Sequence, residues 1–247
     1  MDNLRISTMT QVGELNSLID LTQLYENLEI DDKIKYISHG SCGEKGEKIN
    51  KIKNPRKNKE KKHFYNQITI HISLDKIINF KLFNNGRIQM TGIKRMEQGN
   101  EAVDILIERI NTMENKDKII KIENVGCSYI KIANIVSDLD IGHKINRESL
   151  HRLMIDMGYY SSFESCIYPG VNIKYYYNEM VENDGICNCD EVCNGKGLNG
   201  TCKKITIAVF NSGKALITGG CSQKHIEVAY NFITDIIKEN EEFIKIK

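Results

Sequence analysis

The residues best suited to chemistry are four cysteines in the second half of the chain. They are Cys187, Cys189, Cys193 and Cys202, which follow the pattern C-x-C-x3-C-x8-C. Thiolates are the ligands of many tetrahedral structural zinc sites, and the glycines between Cys193 and Cys202 let the chain turn back on itself. The pattern therefore predicts one structural zinc. Because this spacing is not that of the common zinc fingers, isolated loop cysteines or adventitious disulfides are the alternative.

No group of residues in the sequence predicts catalysis. The six histidines are dispersed without metal-ligand spacing, no glycine-rich phosphate loop opens a helix, and no nucleophile motif occurs. The first residues do not form a secretory signal, and no apolar run is long enough to cross a membrane. We therefore expect a non-enzymatic intracellular protein whose cysteines are reduced.

A strongly basic segment occupies residues 31–63. It holds eleven Lys or Arg and five Asp or Glu, a net charge of +6, so that in a chain of net charge +1 the remaining residues sum to −5. The segment is rich in Gly, Lys and Asn and has few apolar residues, which predicts a mobile loop. This loop is either simply solvated or an arm that binds phosphates.

The elements around these features are duplicated. Residues 83–92 read FNNGRIQMTG and residues 210–219 read FNSGKALITG, an offset of 127 residues. Each motif is followed by an apolar stripe at helical spacing, over residues 97–113 and 224–240. Self-similarity of this kind indicates a repeated structural unit.

The same order of elements precedes the motif in both halves. Alternating apolar residues predict strands at 65–72 and 168–175. Earlier still, each half offers a strand followed by an amphipathic segment, at residues 4–9 and 19–28 and at residues 131–137 and 147–157. Neither half can cover both faces of its sheet, so the two halves are expected to share one sheet with the helices on one side.

The bare face of that sheet carries the candidate binding residues. Phe83 and Phe210 lie on the mixed, exposed side of their strands, opposite an aliphatic side that should meet the helices. Such an aromatic residue is either a minor core residue or a recognition group, and its recurrence in both repeats favours recognition. Arg87 and Lys214 follow the two turns and could neutralise phosphates.

Small polar groups stand among apolar ones on the same face. Thr91 and Thr218 lie four residues after Arg87 and Lys214, and Asn134 shares a strand face with Val136. The minor groove at A·T pairs presents only hydrogen-bond acceptors and a smooth floor. This mixture of hydroxyl, amide and aliphatic groups suits that groove.

Several of these segments resemble the TATA-box-binding protein family. They are IANIVS at 132–137, YPG at 168–170 and VFNSGK at 209–214, followed by ITG at 217–219. The resemblance covers both repeats and is better in the second. It implies an α+β fold, a two-repeat saddle with a continuous curved antiparallel sheet and helices on the convex face. It also implies a transcription initiation factor that binds A·T-rich promoter DNA in the minor groove, bends it and recruits transcription factors.

The resemblance assigns individual roles. The pairs of aromatic wedges would be Tyr65 with Phe83 and Tyr168 with Phe210. The remaining DNA contacts would be the polar readers Asn134, Thr91 and Thr218, the groove-floor residues Val136 and Leu216, and Lys174 in place of a phosphate-binding Arg. Polar side chains replace apolar ones of the family at Gln89 and Lys81, and the first-repeat counterpart of Asn134 falls on Leu4.

The predicted organisation is residues 1–118 as the first repeat, with the basic insertion 31–63, and 119–247 as the second, with a Cys-rich insertion at 178–203. Glu164 lies in a loop that resembles the family's contact with a transcription factor IIB-like protein. The implied partners are double-stranded A·T-rich DNA, such a factor and the RNA polymerase machinery, with no membrane.

Two other functions compete with promoter binding. The saddle could bind or sequester a transcription factor without specific DNA recognition, or it could be a module of a nucleic-acid-processing enzyme. The composition, rich in Lys, Ile and Asn, together with the insertions fits a large DNA virus or a eukaryotic microbe. The corresponding locations are a nucleus, a viral replication compartment or a virion.

Overall fold

The computed structural model describes residues 3–40, 42–47, 64–181, 183–189, 192–198 and 201–246. In chain order its elements are β1 (Leu4–Leu15), α1 (Leu21–Asn27), β2 (Ile34–His39), β3 (Gly43–Gly46), β4 (Gln67–Ser73), β5 (Ile77–Phe83), β6 (Arg87–Ile93), α2 (Met96–Thr112), α3 (Lys116–Ile119), β7 (Cys127–Asp140), α4 (Arg147–Asp156), β8 (Tyr160–Ser162), β9 (Val171–Tyr177), β10 (Lys203–Val209), β11 (Lys214–Gly220), α5 (Gln223–Glu239) and α6 (Glu241–Ile244). The predicted order of strand, helix, strands and helix thus occurs twice.

The chain forms two compact units. Unit 1 comprises Met1–Thr8 and Ala133–Lys247, and unit 2 comprises Met9–Ile132. The long strands β1 and β7 therefore contribute residues to both units. The repeat boundary between residues 118 and 119 stays a prediction about the duplication, since the compact units divide the chain elsewhere.

In unit 2 the hydrogen-bonded strands follow the order β3-β2-β4-β5-β6-β1-β7. Neighbours from β3 to β1 are antiparallel. In β4 and β5 alternate residues pack aliphatic or aromatic side chains into the core, namely Ile68, Ile70 and Ile72 of β4 and Ile78, Phe80 and Leu82 of β5. This period-two burial is the predicted strand pattern.

In unit 1 the order is β1-β7-β11-β10-β9-β8, and the neighbours from β7 to β8 are antiparallel. Its strands alternate in the same way, with Ile205, Ile207 and Val209 of β10 fully buried. The aliphatic side of each hairpin therefore faces the core, as predicted.

The two long helices carry the predicted apolar stripes. α2 and α5 each begin and end within one residue of the predicted ranges 97–113 and 224–240. The stripe residues that are buried are Ala102, Leu106 and Ile110 in α2 and Ile226, Ile233 and Ile237 in α5. No helix among the described residues is long and apolar enough to cross a membrane.

The repeated turns close tight hairpins. The Gly86 amide donates to Phe83 at 2.9 Å, and the Gly213 amide donates to Phe210 at 3.0 Å. Both glycines have a positive φ, of 83° and 82°, a conformation that disfavours other residues. A Cβ at Gly213 would also lie 2.0 Å from the carbonyl oxygen of His143. The turn predicted from the sequence is confirmed.

The prediction of a loop over 31–63 is wrong for its first part. Within it, β2 pairs with β4 and β3 pairs with β2. Ile34, Tyr36 and Ile37 of β2 are buried. Removing these apolar side chains from water gives the favourable free energy that holds this part of the segment in the sheet. Lys45 donates to the carbonyl oxygens of Tyr25, Glu26 and Leu28 at the end of α1. The other basic residues of the segment, except Lys33 and Lys35, lie outside the described residues.

Candidate nucleic-acid interface

The candidate residues lie on the sheet face of each unit that points away from the core, which we call the outer face. In unit 1 the residues between the buried Ile135, Ser137 and Leu139 of β7 are half-buried, and the same alternation runs along β9 and β11. Unit 2 shows the matching alternation along β5 and β6. Side chains on these outer faces are available to a ligand.

An aromatic pair stands at one end of the outer face of unit 1. The ring centroids of Tyr168 and Phe210 are 5.9 Å apart and their planes are inclined by 57°. Both rings rest on Gly170, where a Cβ would lie 2.9 Å from Cε1 of Tyr168 and 3.1 Å from Cε1 of Phe210. The predicted partners are therefore in contact, and a residue without a side chain makes their position possible.

The loop that carries Tyr168 is held by α4. Arg147 donates to the carbonyl oxygen of Pro169 at 2.5 Å, and its guanidinium lies 5.0 Å from the ring centre of Phe163. The amides of Ile167 and Tyr168 both donate to the carbonyl oxygen of Glu164. The strand predicted from residue 168 begins only at Val171, so Tyr168 stands on this braced loop.

Asn134 is oriented by the bulge between β7 and β11. Its side-chain oxygen accepts a hydrogen bond from the Gly219 amide at 2.7 Å. Among the described residues no hydrogen bond involves its NH₂ group, and that group is a donor suited to minor-groove acceptors. Val136 pairs with Thr218 and lies beside Asn134 on the same face. The structure thus brings these three predicted residues together.

Carboxylates that the sequence reasoning missed lie on the same face. Asp138 stands opposite Leu216 in the β7–β11 pair. Its two oxygens are engaged by the Ser7 hydroxyl and, at 3.1 Å, by Arg5. Asp140 forms an ion pair with Lys214, and the hydrogen bond from Lys214 holds the pKa of that carboxyl below its usual value. The basic partners offset these charges, but the ion pair competes with phosphate for Lys214.

Lys174 is directed at a neighbouring strand. Its ammonium donates to the Thr206 hydroxyl at 2.9 Å. Burial, together with nearby Lys204, lowers the pKa of Lys174. A phosphate near this ammonium would favour its charged form, and two of the three ammonium hydrogens stay available while the third is donated to Thr206.

The outer face of unit 2 carries the other predicted residues. Thr91 is half-buried and pairs with Asn79, and Arg87 is exposed at the start of β6. Phe83 ends β5 and is half-buried. Tyr65 precedes β4, is 71% exposed, and lies beside Gly40. A wedge formed by Tyr65 and Phe83 stays a prediction.

The strand registers correct one predicted correspondence. Arg87 lies opposite Glu14 and Lys214 lies opposite Asp140. Because Arg87 and Lys214 are equivalent, their partners Glu14 and Asp140 are equivalent too. Asn134 lies six residues before Asp140 and Thr8 lies six residues before Glu14, so the counterpart of Asn134 is Thr8 and the prediction of Leu4 is wrong. A threonine hydroxyl thus stands in the first repeat where the second has an amide.

Comparison with known proteins identifies the family. The family model described as "Transcription factor TFIID (or TATA-binding protein, TBP)" matches residues 129–240. A TATA-box-binding protein-like protein of Acanthamoeba polyphaga mimivirus is 30% identical over an alignment 258 residues long. The alignment covers 99% of this chain and 67% of that protein. The chain belongs to the TATA-box-binding protein family. This membership supports a role as a TATA-binding transcription factor, and the viral relative supports the expected origin in a large DNA virus.

Other relatives extend the comparison to archaea. TATA-box-binding protein 2 of Haloferax volcanii is 27% identical over 157 residues, 63% of this chain and 66% of that protein. The solved structure of Methanococcus jannaschii TBP matches with a TM-score of 0.57 at 21% identity, covering 96% of this chain and 99% of the other. This match confirms the predicted TATA-binding-protein-like fold. The chain spans about two thirds of the length of the curated relatives named above.

This family member also contains a cysteine cluster in the segment between β9 and β10. The sulfur atoms of the four predicted ligands, Cys187, Cys189, Cys193 and Cys202, all lie within 4.8 Å of one another. The sulfurs of Cys189 and Cys202 are 3.4 Å apart. The cluster could hold a metal ion, because four ligands at about 2.3 Å from a tetrahedral zinc are separated by about 3.8 Å.

The pKa values of two thiols in the cluster are shifted in opposite directions. Burial, with hydrogen bonds to Cys189 and Cys187, raises the pKa of Cys202 to about 12. For Cys193 burial acts in the same direction, but the Gly195 amide and the neighbouring thiols outweigh it and lower the pKa. The two thiols therefore differ in acidity, and a bound cation would favour the thiolate form of Cys202.

Proposed function

We propose that this chain is a transcription initiation factor that binds A·T-rich promoter DNA in the minor groove through its outer faces and bends it. The observation that carries the proposal is the contact between Tyr168 and Phe210 above Gly170. Side chains that enter between base pairs unstack them and kink the duplex. Tyr168 is held on a braced loop and Phe210 on a tight turn, so the pair loses little conformational freedom when it does so.

The rest of the outer face supports the same mode of binding. Asn134 presents a donor to the acceptors of the groove, and Val136 and Leu216 offer smooth apolar contact to its floor. Both are properties of A·T recognition. The exposed Arg87 and Lys214 lie at the turns, where they would contact phosphates, so binding should weaken as salt is raised.

The test is a fluorescence-anisotropy titration at fixed salt with an A·T-rich and a G·C-rich duplex. Phe210→Ala should abolish the preference for A·T-rich DNA. Phe243→Ala is the matched control, because Phe243 is 55% exposed on α6 and belongs to no part of the outer face. Binding that ignores sequence and is equal in all three proteins would contradict the proposal.

A second function is favoured by the carboxylates. Glu14, Asp138 and Asp140 lie on the strands of the outer faces, and an acidic surface repels DNA but attracts basic proteins. On this account the chain binds or sequesters a transcription factor without specific DNA recognition. The titration separates the two functions, because only the first predicts tight binding of A·T-rich DNA.

We propose a transcription factor IIB-like protein as a partner, contacted through the loop of Glu164. Glu164 is exposed there, and the neighbouring Ile167 is 80% exposed. A large apolar side chain that is exposed to solvent, as Ile167 is, gains free energy when a partner protein buries it. Recruitment of the RNA polymerase machinery, in a nucleus or a viral replication compartment, would follow. Because the family consists of DNA-binding factors, we expect no enzymatic activity.

We also propose one structural zinc on the four cysteines. Cys202 directly precedes β10, and the Lys204 amide donates to the carbonyl oxygen of Gly195 at 2.8 Å. A zinc ion there would tie the long insertion to the end of the hairpin. Metal analysis of protein purified without chelator should give one zinc per chain, and the absence of zinc would contradict the assignment.

A further inference from the structure

The two repeats carry different side chains at the equivalent positions of Gln89 and Leu216 on the outer faces. Gln89 is the third residue of β6 and Leu216 is the third residue of β11. The two positions are equivalent, because they follow Arg87 and Lys214 by the same number of residues. One repeat thus presents an amide where the other presents an aliphatic side chain.

The Gln89 amide is available to a ligand. Gln89 is half-buried and lies between Val12 of β1 and Lys81 of β5. It lines a cavity of about 470 Å³ together with Phe83 and Tyr129. Among the residues that the structure describes, none forms a hydrogen bond with the Gln89 side chain, so both its oxygen and its NH₂ group need a partner in any complex that buries them.

The equivalent position of unit 1 carries no amide. Leu216 has no polar group, and each side-chain oxygen of the neighbouring Asp138 already accepts a hydrogen bond, one from Ser7 and one from Arg5. In the minor groove an A·T pair presents only acceptors, whereas a G·C pair adds the amino group of guanine as a donor. Against Leu216 this amino group would be buried without a partner, which is unfavourable.

We propose that Gln89 is a specificity-determining residue that lets the half of the DNA site contacted by unit 2 accept a G·C pair. The amide oxygen accepts from the guanine amino group, and on an A·T pair the NH₂ group donates to the groove acceptors instead. Leu216 restricts the other half-site to A·T pairs. The inference rests on the proposed binding of the minor groove.

The test is a set of duplexes with one A·T-rich core, each carrying a single G·C pair at a different position. Wild type should lose affinity by roughly tenfold for a pair in one half-site and by less than about twofold at the position that faces Gln89. Gln89→Leu should make both halves equally intolerant, and the reciprocal Leu216→Gln should make both tolerant. Replacing guanine by inosine, which lacks the amino group, should remove the penalty everywhere.

The outcomes distinguish this inference from the function on which it rests. If A·T-rich DNA is preferred but Gln89→Leu leaves the position profile unchanged, the role of Gln89 is wrong and the proposed function stands. If no duplex is preferred over any other, both are wrong. Circular dichroism and the unfolding midpoint of each variant show whether the variants are folded.

Discussion

Gly99 of α2 leaves room for a buried amide of the sheet in unit 2, and filling that room should destabilise the protein. Gln11 of β1 is completely buried, and its NH₂ group donates to the carbonyl oxygen of Met96 at 3.2 Å. A Cβ at Gly99 would lie 1.5 Å from the side-chain oxygen of Gln11 and 2.7 Å from its Cδ. Gly99→Ala must therefore displace the Gln11 side chain.

The expected cost follows from three contributions. Losing the buried hydrogen bond costs about 1–3 kcal/mol, and overpacking costs about 1–3 kcal/mol. The higher helix propensity of Ala returns about 1 kcal/mol. Gly99→Ala should therefore lower the free energy of unfolding by about 1–5 kcal/mol, measured by urea denaturation at equilibrium.

The second repeat suggests the control. There Ser137 and Ile226 occupy the positions of Gln11 and Gly99, and both are buried, so a small sheet residue accompanies a large helix residue. In a Gln11→Ser background, Gly99→Ala should no longer destabilise. A neutral Gly99→Ala in the wild-type background, or an equal cost in both backgrounds, would refute the reasoning.

Three further predictions concern the functional features. Gly170→Ala should weaken binding of A·T-rich DNA by about 1–2 kcal/mol, because the rings of Tyr168 and Phe210 must both move. Anisotropy titration measures this loss of affinity, and an unchanged unfolding midpoint shows that the variant is folded. Zinc should be released as pH falls, since the raised pKa of Cys202 means that a proton competes with the metal; release into a colorimetric chelator that does not increase from pH 8 to pH 6 would contradict this. Glu164→Arg should abolish pull-down of a transcription factor IIB-like protein without affecting DNA binding, and retained pull-down would count against that contact.

Much of the fold could be predicted because each half obeys simple periodicities. The stripe of Ala102, Leu106 and Ile110 predicted α2, and the alternation around Phe210 predicted which face of its strand is buried. The motif FNSGK predicted a turn because Gly213 needs a positive φ. These features depend on residues that are close together in the sequence.

The features that the sequence did not predict depend on contacts between residues far apart in the chain, or were hidden because charge was summed over a long segment. The net charge of residues 31–63 predicts a loop although the segment includes the apolar residues Ile34, Tyr36 and Ile37. These residues are buried because β2 pairs with β4. The predicted strand at 131–137 ends before Asp138 and Asp140, whereas pairing with β11 extends β7 to Asp140, so both carboxylates lie on the outer face. The match of Asn134 with Thr8 required the strand registers, because Leu4 and Thr8 are four residues apart and an alternating strand places both on the same face.

The most direct test of the central claim is the end-to-end distance of a doubly labelled A·T-rich duplex, measured by fluorescence resonance energy transfer with saturating protein. If Tyr168 and Phe210 enter the base stack, wild type and Phe243→Ala should raise the transfer efficiency of the duplex. Phe210→Ala should lower the transfer efficiency of the bound duplex, because one of the two predicted wedges is lost. A bound duplex whose transfer efficiency equals that of free DNA in the wild type, or is unchanged by Phe210→Ala, would contradict kinking by this pair.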